Sequence, residues 1–181
     1  MRVSLLHFPL LTLGPGVRAG LWLQGCSIRC PGCMSKHTWS RSGGYEVSVA
    51  ELSQELLSFP TSRLTVSGGE PLEQYEELLE LLKSIREKFC DILLYTGYQW
   101  EVVQKKFGDI LYMVDVVVAG PFVKGLYTKD RLKGSENQKV VVLNEKLYNL
   151  YREYSSLEKR ALQKLRKGNK IYFLGIPENH V

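Results

Sequence analysis

Leu21-Trp22-Leu23-Gln24-Gly25-Cys26-Ser27-Ile28-Arg29-Cys30-Pro31-Gly32-Cys33 joins a short apolar run directly to three cysteines spaced C-x3-C-x2-C. Residues 21–24 read as a buried strand. The cysteines then lie on the loop leaving its C-terminal end, where ligands bind in parallel α/β barrels. Three thiolates so close together can face one inorganic centre. A structural zinc site takes four protein ligands, so zinc here would need completion by a residue such as His37. A cubane iron–sulfur cluster has four irons and commonly takes four cysteines, so three leave one iron open to an exchangeable ligand. A disulfide plus a spare thiol is a further reading. No signal peptide or apolar span is visible, however, and a reducing cytoplasmic setting is the expectation. The remaining cysteine, Cys90, stands just ahead of an apolar run and reads as a small buried hydrophobe.

On both sides of this loop the chain alternates strand-like and helix-like patterns. Residues 3–6 are an apolar opening, and Gly14-Pro15-Gly16 before Arg18 is a rigid turn in which backbone can approach a ligand closely. Gly43-Gly44 breaks the chain, and Ser48-Val49-Ala50-Glu51 is a capping box opening a helix with Val49, Leu52 and Leu56 as its core stripe. A strand over 63–66 runs into Ser67-Gly68-Gly69-Glu70-Pro71. Adjacent glycines at a strand end can present backbone polar groups to a charged small molecule. Pro71 suits a first helical turn, and Tyr75, Leu78, Leu79, Leu82 and Ile85 form one face of the helix after it. Further strands are expected over 91–95, 114–118 and 140–143. The first of these ends at Thr96-Gly97-Tyr98, before a helix that stops at Gly108. A long helix over 146–167 and a last strand over 171–174 complete the reading. The alternation predicts an α/β fold with a mainly parallel sheet of five or six strands, too few to close an eight-stranded barrel.

With 181 residues and 44% apolar residues, the sequence reads as one domain, residues 1–181. The formal charge of +5 comes from 24 Lys and Arg against 19 Asp and Glu. Basic residues are densest near the C-terminus, at Arg152, Lys159, Arg160, Lys164, Arg166, Lys167 and Lys170. They form either a solvated helix face or a docking surface for an acidic protein. No nucleic-acid motif with stacking aromatics is present, so neither nucleic acid nor membrane is expected as a partner. His7, His37 and His180 are scattered, and no nucleophile–base constellation is visible.

Gly25-Cys26 through Cys30-Pro31-Gly32-Cys33, followed by Lys36, Thr38 and Trp39, resembles the cluster loop of radical S-adenosylmethionine (SAM) enzymes. More narrowly it is similar to the small activating enzymes of glycyl-radical proteins, above all activators of anaerobic ribonucleotide reductase. Gly14-Pro15-Gly16-x-Arg18, Thr96-Gly97-Tyr98, Gly120-Pro121-Phe122 and Gly134-Ser135-x-Asn137-Gln138 match segments of that family. Leu13, Ala119 and Lys133 stand where the family has Asp or Asn, Asp and Arg. The resemblance fades near Leu143, leaving 145–181 as an unmatched C-terminal extension.

The resemblance implies an open, partial β/α barrel of the small radical SAM type, with a wide lateral mouth. It implies a [4Fe–4S] cluster held by Cys26, Cys30 and Cys33, with SAM chelated on the fourth iron and positioned by Ser67, Gly68, Gly69, Glu70 and Thr96. One-electron reduction then yields a 5′-deoxyadenosyl radical that takes hydrogen from a glycine of the partner, anaerobic ribonucleotide reductase. A flavodoxin or ferredoxin would serve as electron donor. Two other readings remain open here: a radical SAM enzyme acting on a small metabolite, and a non-catalytic iron–sulfur electron carrier.

Overall fold

The structure is a computed structural model that describes residues 1–157 and 159–177; the scattered histidine His180 and the last residues of the extension lie outside them. Four strands run parallel at the centre: β2 (Arg18–Leu23), β4 (Arg63–Gly68), β5 (Asp91–Thr96) and β6 (Val116–Ala119). On one side β1 (Arg2–Leu10) lies antiparallel to β2, and the short β3 (Tyr45–Glu46) lies antiparallel to β1. On the other, β7 (Lys139–Val142) lies antiparallel to β6. The seven-stranded order is β3-β1-β2-β4-β5-β6-β7, and the sheet does not close. The expected five or six strands are therefore seven, with antiparallel strands added at both edges.

The central strands are apolar along their whole length because both faces are covered. Register sets Leu21 beside Val66 and Leu64 beside Ile92 on one face. Onto this face pack α1 (Val49–Ser58), α2 (Tyr75–Ile85) and α3 (Trp100–Lys106), through Leu52, Leu56, Leu78, Leu82 and Val103. Each Leu so enclosed contributes about 2 kcal/mol of transfer free energy. Ser48 caps α1 by the reciprocal pattern expected, accepting from the Glu51 N–H while the Glu51 carboxylate accepts from the Ser48 N–H. Pro71 begins a 3-10 turn, Pro71–Gln74, and the α-helix starts only at Tyr75.

The opposite face of the sheet is covered as well. The extension holds a short α4 (Tyr148–Ser156) and an antiparallel hairpin of β8 (Leu162–Lys167) and β9 (Lys170–Gly175), not one helix over 146–167. Tyr151 of α4 packs on Leu93, Val116 and Val118. Leu165, Tyr172 and Leu174 of the hairpin pack on Leu5, Leu10, Leu13 and Trp22. The helix reading fails because residues 162–167 and 170–175 alternate across a two-residue Gly168-Asn169 turn, with Gly168 at φ +59°. Such a turn fits the twist of a hairpin and ends any helix.

At the N-terminal ends of the parallel strands, Arg18 is fully buried. Its guanidinium donates to Asp91 at 2.8 and 3.1 Å, to Thr65 Oγ1 at 2.7 Å and to the Leu64 carbonyl at 2.7 Å. The Tyr151 hydroxyl donates to the same carboxylate at 2.6 Å. Gly14 and Gly16 are glycines because a Cβ there would meet the Arg18 and Arg63 side chains. The Gly-Pro-Gly turn thus serves this buried ion pair. Asp115 is held there as well, by Arg86 at 2.7 Å. Cys90 is exposed at this same end, because it precedes β5 at the sheet's rim and is not enclosed as a hydrophobe.

Candidate cluster and cofactor cavity

The C-terminal ends of β2, β4, β5 and β6 open onto one cavity of about 720 Å³. Cys26, Cys30 and Cys33 line it, as do Ser67, Gly68, Gly69, Glu70 and Thr96. All eight site residues expected from sequence thus border the same cavity. A larger cavity of about 890 Å³, between α4, β7 and residues 128–130, contains none of them.

The cysteine loop is fixed by backbone hydrogen bonds. Gly25 N–H donates to Thr38 O at 2.7 Å, Cys26 N–H to Trp39 O at 3.1 Å, and Cys33 N–H to Cys30 O at 3.1 Å. The roles of Thr38 and Trp39 here are those of backbone acceptors. Glu73, which the sequence reading passed over, accepts from both the N–H and the hydroxyl of Ser27, at 2.6 and 2.5 Å, and pairs with Arg41 at 3.1 Å. Its position one helical turn after Glu70 was a usable signal.

Gly68 and Gly69 act differently from the expectation. Gly69 N–H donates to Leu23 O, and Glu70 N–H to Gly25 O, both at 2.8 Å. These donors bind the end of β2 and are not free for a ligand. A Cβ on Gly68 would lie 2.3 Å from the Leu23 backbone, and one on Gly69 would lie 2.0 Å from Gly25 O. The pair is glycine because β4 passes hard against the backbone that leads into Cys26.

Glu70 is buried, and its carboxylate accepts from Leu72 N–H at 3.0 Å, the Thr96 hydroxyl at 2.8 Å and Gly97 N–H at 2.7 Å. Burial pushes its pKa up to about 7 even against these donors. Glu70 and Thr96 therefore bond each other across the strand ends. Ile28 of the cysteine loop lies directly over Gly97.

The Gly134-Ser135-x-Asn137-Gln138 segment is a lock on the turn after β6. Gln138 donates to Gly120 O and Asn137 to Pro121 O, each at 2.8 Å, while the Ser135 hydroxyl accepts from Val123 N–H at 3.0 Å. This holds Phe122 beside Gly32, and the Phe122 backbone hydrogen-bonds the Cys30 thiol. Lys133 does not reach the cavity wall; its ammonium lies 3.4 Å from the Glu136 carboxylate. Ala119 is buried in the helix-side core, and Leu13 holds φ +56°, a conformation that Asn and Asp adopt more readily.

The three cysteines are free and half-buried, and burial raises the thiols of Cys26 and Cys30. Among the described residues no three His, Cys, Asp or Glu side chains converge as a single metal ion would require. His37 does not join the thiols; its ring meets Tyr172 edge-on at 6.0 Å. Three thiols on one cavity are the donor type that an iron–sulfur cluster takes.

Comparison with known proteins agrees. The family of the 4Fe-4S single cluster domain matches residues 12–141. An anaerobic ribonucleoside-triphosphate reductase-activating protein of Enterobacteria phage T4 is 35% identical over 134 residues, covering 70% of this chain and 85% of the relative. Its counterpart in Escherichia coli (strain K12) is 32% identical over 138 residues, covering 70% and 89%. A pyruvate formate-lyase-activating enzyme of Clostridium pasteurianum is 40% identical over 112 residues, covering 58% and 45%. The α4 and hairpin segment lies beyond the matched domain. Similarity of this extent, laid over a cavity that holds all three cysteines, means that the chain belongs to the radical SAM activating enzymes of glycyl-radical proteins, alongside the anaerobic ribonucleoside-triphosphate reductase-activating proteins.

Proposed function

We propose that this enzyme forms a glycyl radical on an anaerobic ribonucleotide reductase, with a [4Fe–4S] cluster on Cys26, Cys30 and Cys33 and SAM bound across the strand ends. The observation that carries the reading is the single cavity lined by the three thiols together with Ser67, Gly68, Gly69, Glu70 and Thr96. When bound, the reduced cluster and SAM supply the difficult chemistry: one-electron cleavage to methionine and a 5′-deoxyadenosyl radical able to take hydrogen from a glycine α-carbon.

The chain's own residues hold, orient and exclude. The cysteine loop, pinned to Thr38 and Trp39, presents three thiolates and leaves one coordination position for the cofactor. Gly68 and Gly69 bring β4 so close to β2 that backbone carbonyls at its end can accept from the cofactor's amino group. Glu70 holds Thr96 and Gly97 in place beneath Ile28. Leu5, Leu13, Trp22 and Tyr95 give the cavity an apolar wall that keeps water from a reactive intermediate. The open sheet reads as a partial β/α barrel within one domain, residues 1–181, and α4 with the β8–β9 hairpin of the 145–181 extension supplies a wall for it. A flavodoxin or ferredoxin would deliver the electron.

Anaerobic reconstitution tests this. Wild-type protein and Cys90→Ser should each load one cluster, and Cys33→Ser should lose it, by iron and sulfide analysis. Reduced wild type should cleave SAM to 5′-deoxyadenosine and give a glycyl signal on the reductase by electron paramagnetic resonance. Equal cluster content in Cys33→Ser and Cys90→Ser would remove the basis of the reading. A second reading, turnover of a small metabolite, draws on the walled cavity, whose 720 Å³ is within the size of small-molecule pockets. It would be favoured by consumption of a small molecule without any protein partner.

A further inference from the structure

The hairpin β8–β9 lies beyond the matched domain, so the shared cluster chemistry does not account for it. Its inner face is firmly seated. Gln163 accepts from Leu11 N–H at 2.9 Å and donates to Pro9 O at 2.8 Å, and the Thr12 hydroxyl donates to Leu174 O at 3.1 Å. From Lys170 onward the hairpin also borders the cavity that holds the cysteines.

Among the described residues the outer face makes no such bond to another element, and its Ile171 and Phe173 also border that cavity. Register pairs Lys164 with Phe173, Arg166 with Ile171 and Leu162 with Gly175, so these side chains share one surface. Leu162, Ile171 and Phe173 are 46%, 54% and 58% exposed, a concentration of apolar area that a short hairpin does not need for folding. From Lys159 to Pro177 the chain carries six Lys and Arg and no Asp or Glu. Among the described residues none of Lys164, Arg166, Lys167 and Lys170 makes an ion pair.

We propose that this outer face is the docking ridge for the protein substrate, and that it fits a surface with an apolar centre and an acidic surround. The proposal rests on the activator reading above. The hairpin borders the cavity into which such a protein would bring its glycine. Apolar side chains flanked by cations match the build of an interface, in which an apolar centre supplies contact and the charged rim supplies attraction and orientation. Leu162 and Ile171 have no use against a phosphate backbone, which sets an acidic protein ahead of nucleic acid.

The experiment uses the full chain carrying its cluster, wild type and the double variant Lys164→Glu/Arg166→Glu, with the anaerobic ribonucleotide reductase as probe. Both side chains lie outside the cavity lining, so reductant-driven SAM cleavage without the partner and the melting temperature should be unchanged. Affinity for the reductase should fall at least tenfold at low salt, mainly through slower association, and the gap should narrow at high salt. The glycyl signal should fall with it. Leu162→Asp, on the same face, should weaken binding at every salt concentration. Unchanged affinity and radical yield in both variants, with wild type active, overturns the hairpin assignment alone. A wild type that cleaves SAM but neither binds nor activates the reductase overturns the activator reading and this proposal with it. Duplex DNA bound more tightly than the reductase, or loss of self-association as the only effect of the variants, would overturn the proposed occupant.

Discussion

Glu70 combines two opposed effects in one side chain: three donors favour its carboxylate, while enclosure favours its acid form and takes the pKa to about 7. A folded-state pKa above the unfolded value means that the native state holds the proton more tightly. Its contribution therefore favours folding fully below about 4.5 and is lost as pH rises through about 7. Glu70→Gln should flatten that slope in urea unfolding of the metal-free protein. The amide leaves Gly97 N–H facing a second donor, so the variant should also be about 1–3 kcal/mol less stable at neutral pH. Tyr95 gives the opposite sign. Its hydroxyl is buried without a hydrogen-bond partner among the described residues. Tyr95→Phe should raise stability by about 1 kcal/mol, read as a melting temperature some 2–4 °C higher. No change would mean that ordered water already serves the hydroxyl. Sequence could find Glu70 through its Gly-Gly-Glu-Pro setting, but its part as the tie to Thr96 depends on β4 and β5 being neighbours, which spacing does not state.

Among the elements, β5 begins at Asp91, which serves Arg18, Arg63 and Tyr151 together. Asp91→Ala would leave the Arg18 guanidinium enclosed without its counter-charge, a loss of about 3–5 kcal/mol. The same change should loosen α4, since Tyr151 loses its acceptor, and amide exchange in Tyr148–Ser156 should accelerate. Exchange unchanged there would show that α4 is held by apolar packing alone. The parallel strands were legible because they are apolar end to end, and α1 because Ser48 and Glu51 form a capping box. Of the hairpin, the second strand was legible, expected over 171–174 and found as β9, but the first strand was not. Leu162 and Leu165 sit three apart and so prolong the helical stripe of Leu147, Leu150 and Tyr154, while the period of two becomes visible only when Gly168-Asn169 is taken as a turn. The edge strand β7 falls where a strand was expected over 140–143, whereas β3, two residues long, takes its identity from pairing with β1.

Across the whole molecule, the two ends of the central strands have separate tasks: cavity and cysteines at one, the Arg18–Asp91 and Arg86–Asp115 pairs at the other. That division was partly readable, because a glycine or cysteine follows each of the four parallel strands. The sequence reading nonetheless assigned the Gly14-Pro15-Gly16 turn to ligand approach, since nothing local reveals which end of a sheet a loop occupies. Cys90 belongs to the far end and is the exposed thiol of the four. Once iron engages Cys26, Cys30 and Cys33, a maleimide should find a single target, and intact-mass spectrometry should count one adduct on loaded protein against as many as four on metal-free protein. The molecule thus carries its own gauge of cofactor occupancy. The same thiol offers an attachment point for a fluorophore or spin label on the side of the sheet away from the cavity, from which docking of a partner could be followed without disturbing the residues under study.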